Sequence, residues 1–172
     1  MDKDTLLPSQ FLVENISLLP KGEALDIAMG NGRNTIYLAK MGYMSEGVDI
    51  SAESINNALI NASKADVDIK AAVADLEDKY EIKKESYDVI VCFNYLHRSL
   101  MPQIKAGLRK GGIVMYETYI TDQAVLFGKP SNPDYLLKHN ELLELFNDLR
   151  CLRYREGVIN KRAIASIVSL KE

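Results

Sequence analysis

The feature that most constrains how this chain can fold is the alternation of short apolar runs with stretches of helical periodicity. Strand-like runs cover residues 23–28, 46–50, 69–74, 87–93 and 113–119, and helical patterns lie between several of them. The run 87–93 is apolar almost throughout, which is typical of a strand covered on both faces. The pattern predicts an α/β fold with a doubly wound, Rossmann-like and mostly parallel sheet of about seven strands.

The two ends of the chain complete this prediction. Residues 1–22 form a helical lead-in, because apolar side chains recur at helical spacing before the Pro20-Lys21-Gly22 breaker. Apolar residues at helical spacing follow a predicted cap at Asn140, namely Leu142, Leu145, Phe146 and Leu149. Runs 152–159 and 163–170 predict a C-terminal antiparallel hairpin. The length of 172 residues fits a single domain, 1–172.

Charge and composition exclude several classes of partner. The net charge of −3 gives no general attraction for phosphate backbones, although a local basic patch could still exist, so no nucleic acid partner is expected. No apolar run approaches the roughly 18 residues of a membrane span, and no signal peptide is recognisable, so we expect a cytoplasmic protein without membrane contact. The two cysteines lie far apart without histidine clusters, and no metal site is expected. The oligomeric state is left open.

A glycine loop follows the first predicted strand and precedes a helix. Gly30 and Gly32 permit a tight turn, and the free N–H groups of a helix that starts just beyond them suit a carboxylate or phosphate. The alternative is a pair of glycines that serve only the turn. Asp49 lies 19 positions after Gly30, at the end of the next strand, where its carboxylate can accept the hydroxyl protons of an adenosine ribose. Alone, Asp49 could equally be a helix-capping residue.

A nicotinamide dehydrogenase would share these features, but Thr35 occupies the position of its third glycine. The segments 24–33 and 47–51 instead resemble the first motif and the acidic second-strand motif of the class I S-adenosylmethionine-dependent methyltransferases. The segments 74–76 and 87–91 also match this family, at the places along the chain that the family leads us to expect. The family usually has Gly-Cys-Gly-x-Gly where this chain has Ala28-Met29-Gly30-Asn31-Gly32, which weakens the first motif.

This resemblance implies S-adenosylmethionine as the cofactor and assigns residues to it. Asp26 and the glycine loop would hold the methionine portion, Asp49 the ribose, Ile50 an adenine face and Asp75 the adenine amino group, whereas Ile50 could also be core and Asp75 a turn residue. The full predicted cofactor set is Asp26, Ala28, Met29, Gly30, Asn31, Gly32, Asn34, Asp49, Ile50, Asp75, Leu76, Phe93 and Asn94.

Within the family, the compact length and the segment 127–137 resemble the TehB-like, tellurite-resistance branch. Residues 120–139 are a candidate substrate lid, or else a surface connection. His97 and Tyr119 are candidate catalytic residues, with His97 equally suited to a structural role, and Arg98, Tyr135 and His139 are candidate substrate contacts. Glu117 could point to either side of the sheet.

The function predicted from the sequence is methyl transfer from S-adenosylmethionine to a small-molecule acceptor, whose identity the sequence leaves open. Two alternatives remain. A non-catalytic, cofactor-binding partner or regulatory subunit would retain the glycine loop and Asp49, and an NAD(P)-dependent oxidoreductase would share the fold.

Overall fold

A computed structural model describes residues 7–172 as one seven-stranded sheet flanked by helices. The first six residues of the predicted lead-in, 1–6, lie outside the described residues. The strands, in chain order, are β1 (Glu23–Ile27), β2 (Met44–Asp49), β3 (Lys70–Val73), β4 (Tyr87–Phe93), β5 (Leu108–Tyr119), β6 (Arg150–Ile159) and β7 (Arg162–Leu170). Their order in the sheet is β3-β2-β1-β4-β5-β7-β6.

The first five strands are parallel, and β7 runs antiparallel to both of its neighbours, β5 and β6. The hairpin of β6 and β7 turns through Asn160 and Lys161, which both have positive φ, as a tight two-residue hairpin turn requires. The predicted Rossmann-like sheet with its C-terminal hairpin is therefore confirmed.

Within residues 7–172, six α-helices cover the sheet, and three short 3₁₀ turns lie between elements. They are α1 (Gln10–Asn15), α2 (Arg33–Lys40), α3 (Ala52–Lys64), α4 (Met101–Gly107), α5 (Asp122–Phe127) and α6 (Glu141–Leu145). Ser51 caps α3 through its hydroxyl, which accepts the backbone N–H of Ser54, as its position before the helix predicts. No helix within residues 7–172 is long and apolar enough to cross a membrane.

Strand β4 separates two apolar cores. Ile90 and Cys92 face one core, together with side chains of α4 and α6, while Val89 and Val91 face the other, together with those of α1 and α2. All four side chains are fully buried. Burial on both faces is the reason that this strand appears in the sequence as a run that is apolar apart from Asp88.

The sheet order reverses beside β1, because β2 leaves on one side of it and β4 on the other. Their chain connections cover opposite faces of the sheet, so a crevice forms beyond the carboxyl ends of these strands. The loops after β1, β2, β3, β4 and β5 all meet at this edge.

Several local predictions are wrong. Asn140 does occupy the N-cap position of α6, but its side chain makes no capping bond and its backbone is left-handed, with a φ of 63°. The helix ends at Leu145, so Phe146 and Leu149 lie outside it. The helical spacing of Ile55, Ala58, Leu59 and Ala62 predicts that all four lie on one apolar face, but Leu59 points outward from α3 with 44% of its surface exposed. The Gly111-Gly112 pair predicts the end of the preceding helix, but both residues lie within β5, at an irregularity in its pairing with β4.

Candidate cofactor and acceptor site

The loop after β1 turns sharply through residues of positive φ. Ala28 and Gly30 have φ values of 55° and 54°, and a Cβ added to Gly30 would meet no atom within 4 Å. The Gly30 N–H donates to Asp49 Oδ2 at 2.8 Å, and the Ser51 N–H donates to Asp49 Oδ1 at 2.9 Å. The carboxylate thus fixes the loop while its remaining lone pairs stay available beside open space.

The amino terminus of α2 lies directly after this loop. Gly32 precedes the helix without any side-chain cap, and Arg33 and Asn34 of its first turn line the crevice. An uncapped helix start offers unpaired N–H groups and the positive end of the helix dipole. Asn31 is held from the other side, since its carbonyl oxygen accepts a bond from Asn61 Nδ2 at 3.3 Å.

Three cavities adjoin one another at this edge, and we name each by the part of the cofactor or the acceptor that the resemblance would place there. A methionine-side cavity of about 680 Å³ lies over the glycine loop, and it is lined by Ala28, Met29, Gly30, Asn31, Arg33, Asn34, Asp49, Phe93, Asn94 and Tyr95. An adenine-side cavity of about 320 Å³ lies beyond β2 and β3, and it is lined by Ala28, Asp49, Ile50, Asp75, Leu76, Glu77 and Tyr95. An acceptor cavity of about 430 Å³ is lined by Glu77, Asn94, Tyr95, Leu96, Thr118, Tyr119, Pro130 and Tyr135.

Asp49 borders both of the first two cavities. Its position between them is where a ribose that joins an adenine to an amino-acid chain would lie. Ile50 flanks the adenine side with 66% of its surface exposed, so the structure places this side chain at the crevice and not in the core. Asp75 Oδ1 accepts the Glu77 N–H at 2.9 Å, and Leu76 is nearly buried beside it.

Two predicted cofactor residues lie beneath the loop instead of lining it. Asp26 is buried, and its carboxylate accepts the Thr35 hydroxyl at 2.7 Å, which ties β1 to α2. Burial raises the pKa of Asp26 to about 7, against the opposing effects of that hydrogen bond and of Arg33. Gly32 packs on α3, because an added Cβ would come within 2.9 Å of the Ala58 Cβ. Both residues therefore shape the loop from below.

The acceptor cavity brings together two of the five predicted catalytic and substrate residues, Tyr119 and Tyr135. The guanidinium of Arg162 stacks over the Tyr119 ring at 5.0 Å and donates to Asn94 Oδ1. The carboxylate of the buried Glu117 lies beside this guanidinium. Its Oε1 is 3.6 Å from Arg162 Nη1, and its Oε2 is 3.3 Å from Arg155 Nη2. Glu117 thus points towards these arginines and is not among the residues that line the acceptor cavity.

The structure places the other three predicted residues outside the lining of these cavities. His97 Nε2 lies 2.7 Å from the Ser99 hydroxyl, and His139 Nε2 lies 2.8 Å from Asp122 Oδ1. Arg98 donates to both oxygens of Glu141, at 2.6 and 3.0 Å. It also donates to backbone carbonyls of the segment that follows α5, so its donors are used within the protein.

Sequence reasoning missed Tyr95 and Glu77. Tyr95 is the only residue that borders all three cavities among those described, because left-handed Asn94, with a φ of 60°, turns the chain directly after β4. The backbone carbonyl of Tyr95 accepts the Tyr116 hydroxyl at 2.8 Å. The only indication in the sequence was the position of these two residues, since Tyr95 follows the predicted Asn94 and Glu77 follows the predicted Leu76.

Comparisons with known proteins agree with this geometry. Residues 24–112 match the family model of the methyltransferase domain. The chain is 26% identical over 154 residues to the "Probable S-adenosyl-L-methionine-dependent methyltransferase TehB" of Haemophilus influenzae, covering 86% of this chain and 52% of that protein. It is also 26% identical over 162 residues to the ubiquinone biosynthesis O-methyltransferase of Rickettsia typhi, covering 81% of this chain and 65% of that protein.

Solved structures show the same fold. The crystal structure of TehB from Haemophilus influenzae superposes with a TM-score of 0.79 at 23% identity, covering 94% of this chain and 62% of that one. An S-adenosylmethionine-dependent methyltransferase from Mesorhizobium loti superposes with a TM-score of 0.73 at 15% identity, covering 92% and 96%.

The chain therefore belongs to the class I S-adenosylmethionine-dependent methyltransferases, a family whose cofactor is S-adenosylmethionine. Within that family it is similar to TehB, although it spans only about half the length of the TehB sequences that it matches.

Proposed function

We propose that this chain transfers the methyl group of S-adenosylmethionine to a small-molecule acceptor. The observation that carries the proposal is the position of Asp49, between two cavities at the switch point, with a third cavity adjoining them through Tyr95. A long nucleoside-containing ligand would occupy the first two cavities, and the molecule that accepts its methyl group would occupy the third. A cytoplasmic location is part of the same proposal.

The residues present suit this cofactor. The open space beside Gly30 and the uncapped start of α2 provide room and N–H donors for an amino-acid carboxylate. Asp49 would accept the ribose hydroxyls, the exposed Ile50 and the nearby Leu76 would flank the adenine, and Asp75 would accept its amino group. Asn34 and Asn94 would border the methionine end.

When bound, S-adenosylmethionine supplies an electrophilic methyl group on a sulfonium, which needs no activation by the protein. The task of the chain is therefore to bind, align the acceptor and exclude water. Tyr119 lines the acceptor cavity and can contact an acceptor directly, whereas His97 is turned towards Ser99. The segment 127–137 contributes Pro130 and Tyr135 to the cavity, which supports its role as a lid.

The acceptor cavity also favours an enzyme over a non-catalytic partner subunit. A subunit that only bound the cofactor would need the glycine loop and Asp49 but no further cavity beyond them. Here about 430 Å³ remains available beyond Tyr95 and Asn94. This volume lies within the usual range for small-ligand sites, about 300 to 1,000 Å³.

Calorimetry with S-adenosylhomocysteine and with NAD tests the proposed function. Because Thr35 replaces the third Rossmann glycine and Asp49 lies at the ribose position, S-adenosylhomocysteine should bind at least tenfold more tightly than NAD, roughly 1.4 kcal/mol. Micromolar binding of NAD together with no binding of S-adenosylhomocysteine would refute the methyltransferase function.

A further inference from the structure

Asn94 lies where the methionine-side cavity meets the acceptor cavity, because it lines both of them. Its backbone is left-handed, and its N–H donates to the Glu117 carbonyl on the neighbouring strand at 2.9 Å. The main chain of Asn94 is therefore fixed on β5, and only its side chain remains to be oriented by another group. That side chain is an amide, which can present either an acceptor or a donor to a ligand.

The guanidinium of Arg162 decides which end of this amide faces the cavities. It donates through Nη2 to Asn94 Oδ1, and a guanidinium carries donors but no acceptor. It can therefore bind only the oxygen end of the amide, and the nitrogen end points away from it. Asn94 is exposed, and among the described residues its side chain makes only this one hydrogen bond, so Nδ2 is left for a ligand.

The guanidinium of Arg162 is itself held in place by other groups. Its Nη1 lies 3.6 Å from Oε1 of the buried Glu117, whose other oxygen accepts the Ser166 hydroxyl at 2.7 Å. Its Cζ stacks 5.0 Å above the ring of Tyr119. Arg162 is not among the described residues that line the methionine-side or the acceptor cavity, and Glu117 balances its charge. Its position suits the orientation of Asn94 and not direct contact with a ligand there.

The donor of Asn94 limits which part of the cofactor it can bind. In the methionine portion of S-adenosylmethionine, the sulfonium and the ammonium accept no hydrogen bonds, so the carboxylate is the only acceptor. Arg33 lines the same cavity from the first turn of α2 and adds a positive charge on this side. A carboxylate offers about four acceptor positions, so it can bind Asn94 and the N–H groups at the start of α2 together.

We propose that Arg162 is a positioning residue, which holds Asn94 with its amide nitrogen towards the methionine-side cavity, where this nitrogen donates to the cofactor carboxylate. The inference rests on the proposed methyltransferase function. Without Arg162 the amide is free to rotate, and a ligand carboxylate then meets Oδ1 in place of Nδ2. Two oxygen acceptors repel each other, so this rotation weakens cofactor binding although the cavity keeps its shape.

The test is calorimetry on the full chain with S-adenosylmethionine and with decarboxylated S-adenosylmethionine, which differs only in lacking the carboxylate. Arg162→Met should weaken binding of S-adenosylmethionine about tenfold and leave the affinity for the decarboxylated form within about threefold of wild type. Arg162→Lys should give the same result, because a single ammonium is drawn to the Glu117 carboxylate and cannot hold Asn94 at the same time. This second variant keeps the charge beside Glu117 and so tests the proposal even if Arg162→Met does not fold.

Arg155→Met is the matched control. Arg155 donates to the same Glu117 carboxylate at 3.3 Å and stacks on the ring of Phe11, but its described hydrogen bonds do not include Asn94. This variant should change neither affinity by more than about threefold. Asn94→Gly tolerates the positive φ and removes the amide, so adding Arg162→Met to it should cause no further loss of S-adenosylmethionine affinity.

The proposal is overturned if Arg162→Met leaves the affinity for S-adenosylmethionine unchanged or weakens both forms of the cofactor equally. It is also overturned if Arg155→Met has the same effect, or if Arg162→Met still acts in the Asn94→Gly background. Wild-type affinity in Arg162→Lys would show that charge alone suffices, which contradicts the proposed orientation of the amide. If the wild-type chain bound neither form, the proposed function itself would fail, so the two failures are distinguishable.

Discussion

Ala28 adopts a left-handed backbone conformation, which is unfavourable for residues other than glycine. Its φ of 55° lies in the left-handed region, where a Cβ costs roughly 1 kcal/mol, and this is the position where the family usually has glycine. Ala28→Gly should therefore raise the free energy of unfolding by about 0.5–1 kcal/mol, in spite of the greater freedom of glycine in the unfolded chain. Urea denaturation followed by circular dichroism measures this change.

Ala39→Gly is the matched control, because Ala39 lies in the regular helix α2. Glycine there should lower the free energy of unfolding by up to about 1 kcal/mol, the opposite sign. Equal destabilisation by both substitutions would show that the strain at Ala28 does not control stability.

Asp49 combines two tasks, since it fixes the Gly30 N–H and borders both cofactor cavities. Asp49→Asn preserves its size but removes the charge, and charge-assisted hydrogen bonds contribute about 1.5 to 3 kcal/mol. The dissociation constant for S-adenosylhomocysteine should rise at least tenfold by calorimetry, with an unchanged circular dichroism spectrum. Asp68→Asn, an exposed acid outside these cavities, should leave affinity unaltered. An unaffected dissociation constant in Asp49→Asn would place the ribose elsewhere.

The contrast between Asp49 and Tyr95 shows what sequence can predict about single residues. Asp49 was predictable because a strand-end acid after a glycine loop has a chemical reason to be there. The position of Tyr95 at all three cavities depends on the left-handed turn at Asn94, which leaves no periodic signal in the sequence. Arg162 begins a strand that is distant in sequence, so only the sheet order brings it to Tyr119.

The same limit appears in the segment after β5, where α5 was not predicted. This helix buries only Gln123, while its apolar residues Val125, Leu126 and Phe127 face outward. Gln123 anchors it through two backbone bonds, to the Ala163 N–H and the Lys129 carbonyl. Because hydrophobic periodicity is the main sequence signal for helices, an element held by a polar side chain escapes it.

The rest of this segment is held by Arg98. Its guanidinium joins Glu141 to the carbonyls of Asp134 and Leu136, next to Tyr135 at the acceptor cavity. Arg98→Met should remove these bonds and leave two carbonyls without their donor. We expect backbone amides in 134–137 to exchange with deuterium at least tenfold faster, as mass spectrometry of the corresponding peptide would show.

The control is Arg150→Met, since the ion pair of Arg150 with Glu172 is exposed at both side chains and should contribute little. Exchange in 134–137 should match wild type in this variant. If Arg98→Met left that exchange unchanged, the segment would be held by its own packing, chiefly the buried Leu136 and Leu137.

At the scale of the whole molecule, the sequence predicted the elements better than their arrangement. The parallel part follows from strand–helix alternation, because right-handed crossovers restrict how such units can pack. The hairpin was predictable from its two runs and short turn. Its placement was not, because β7 enters between β5 and β6 through a ladder that pairs residues 113–119 with 164–170. Such distant pairing depends on which edge of the sheet remains open.

The buried Asp26 couples the stability of the whole fold to pH. Its pKa is raised from 3.8 to about 7 by burial, so the native state holds its proton more tightly than the unfolded state does. Between about pH 4 and pH 7 the unfolded chain binds fewer protons at this group, and stability must fall as pH rises. This loss of stability is absent at pH values below the pKa of Asp26 in the unfolded chain, and it is complete above the pKa of Asp26 in the folded protein. Paired carboxylates such as Glu141, whose pKa Arg98 lowers, act in the opposite direction.

A comparison with Asp26→Asn isolates this contribution, since asparagine can still accept the Thr35 hydroxyl but cannot ionise. The free energy of unfolding of the variant minus that of wild type should increase from pH 4.5 towards pH 7.5, by an amount on the order of a few kcal/mol. Urea titrations at closely spaced pH values measure the difference. In the control Asp68→Asn, which alters an exposed carboxylate, the free energy of unfolding should change with pH as it does in wild type. Parallel curves for wild type and Asp26→Asn would mean that Asp26 ionises in the folded protein as it does in the unfolded chain. Its hydrogen bond to Thr35 would then hold a carboxylate beneath the glycine loop throughout this range.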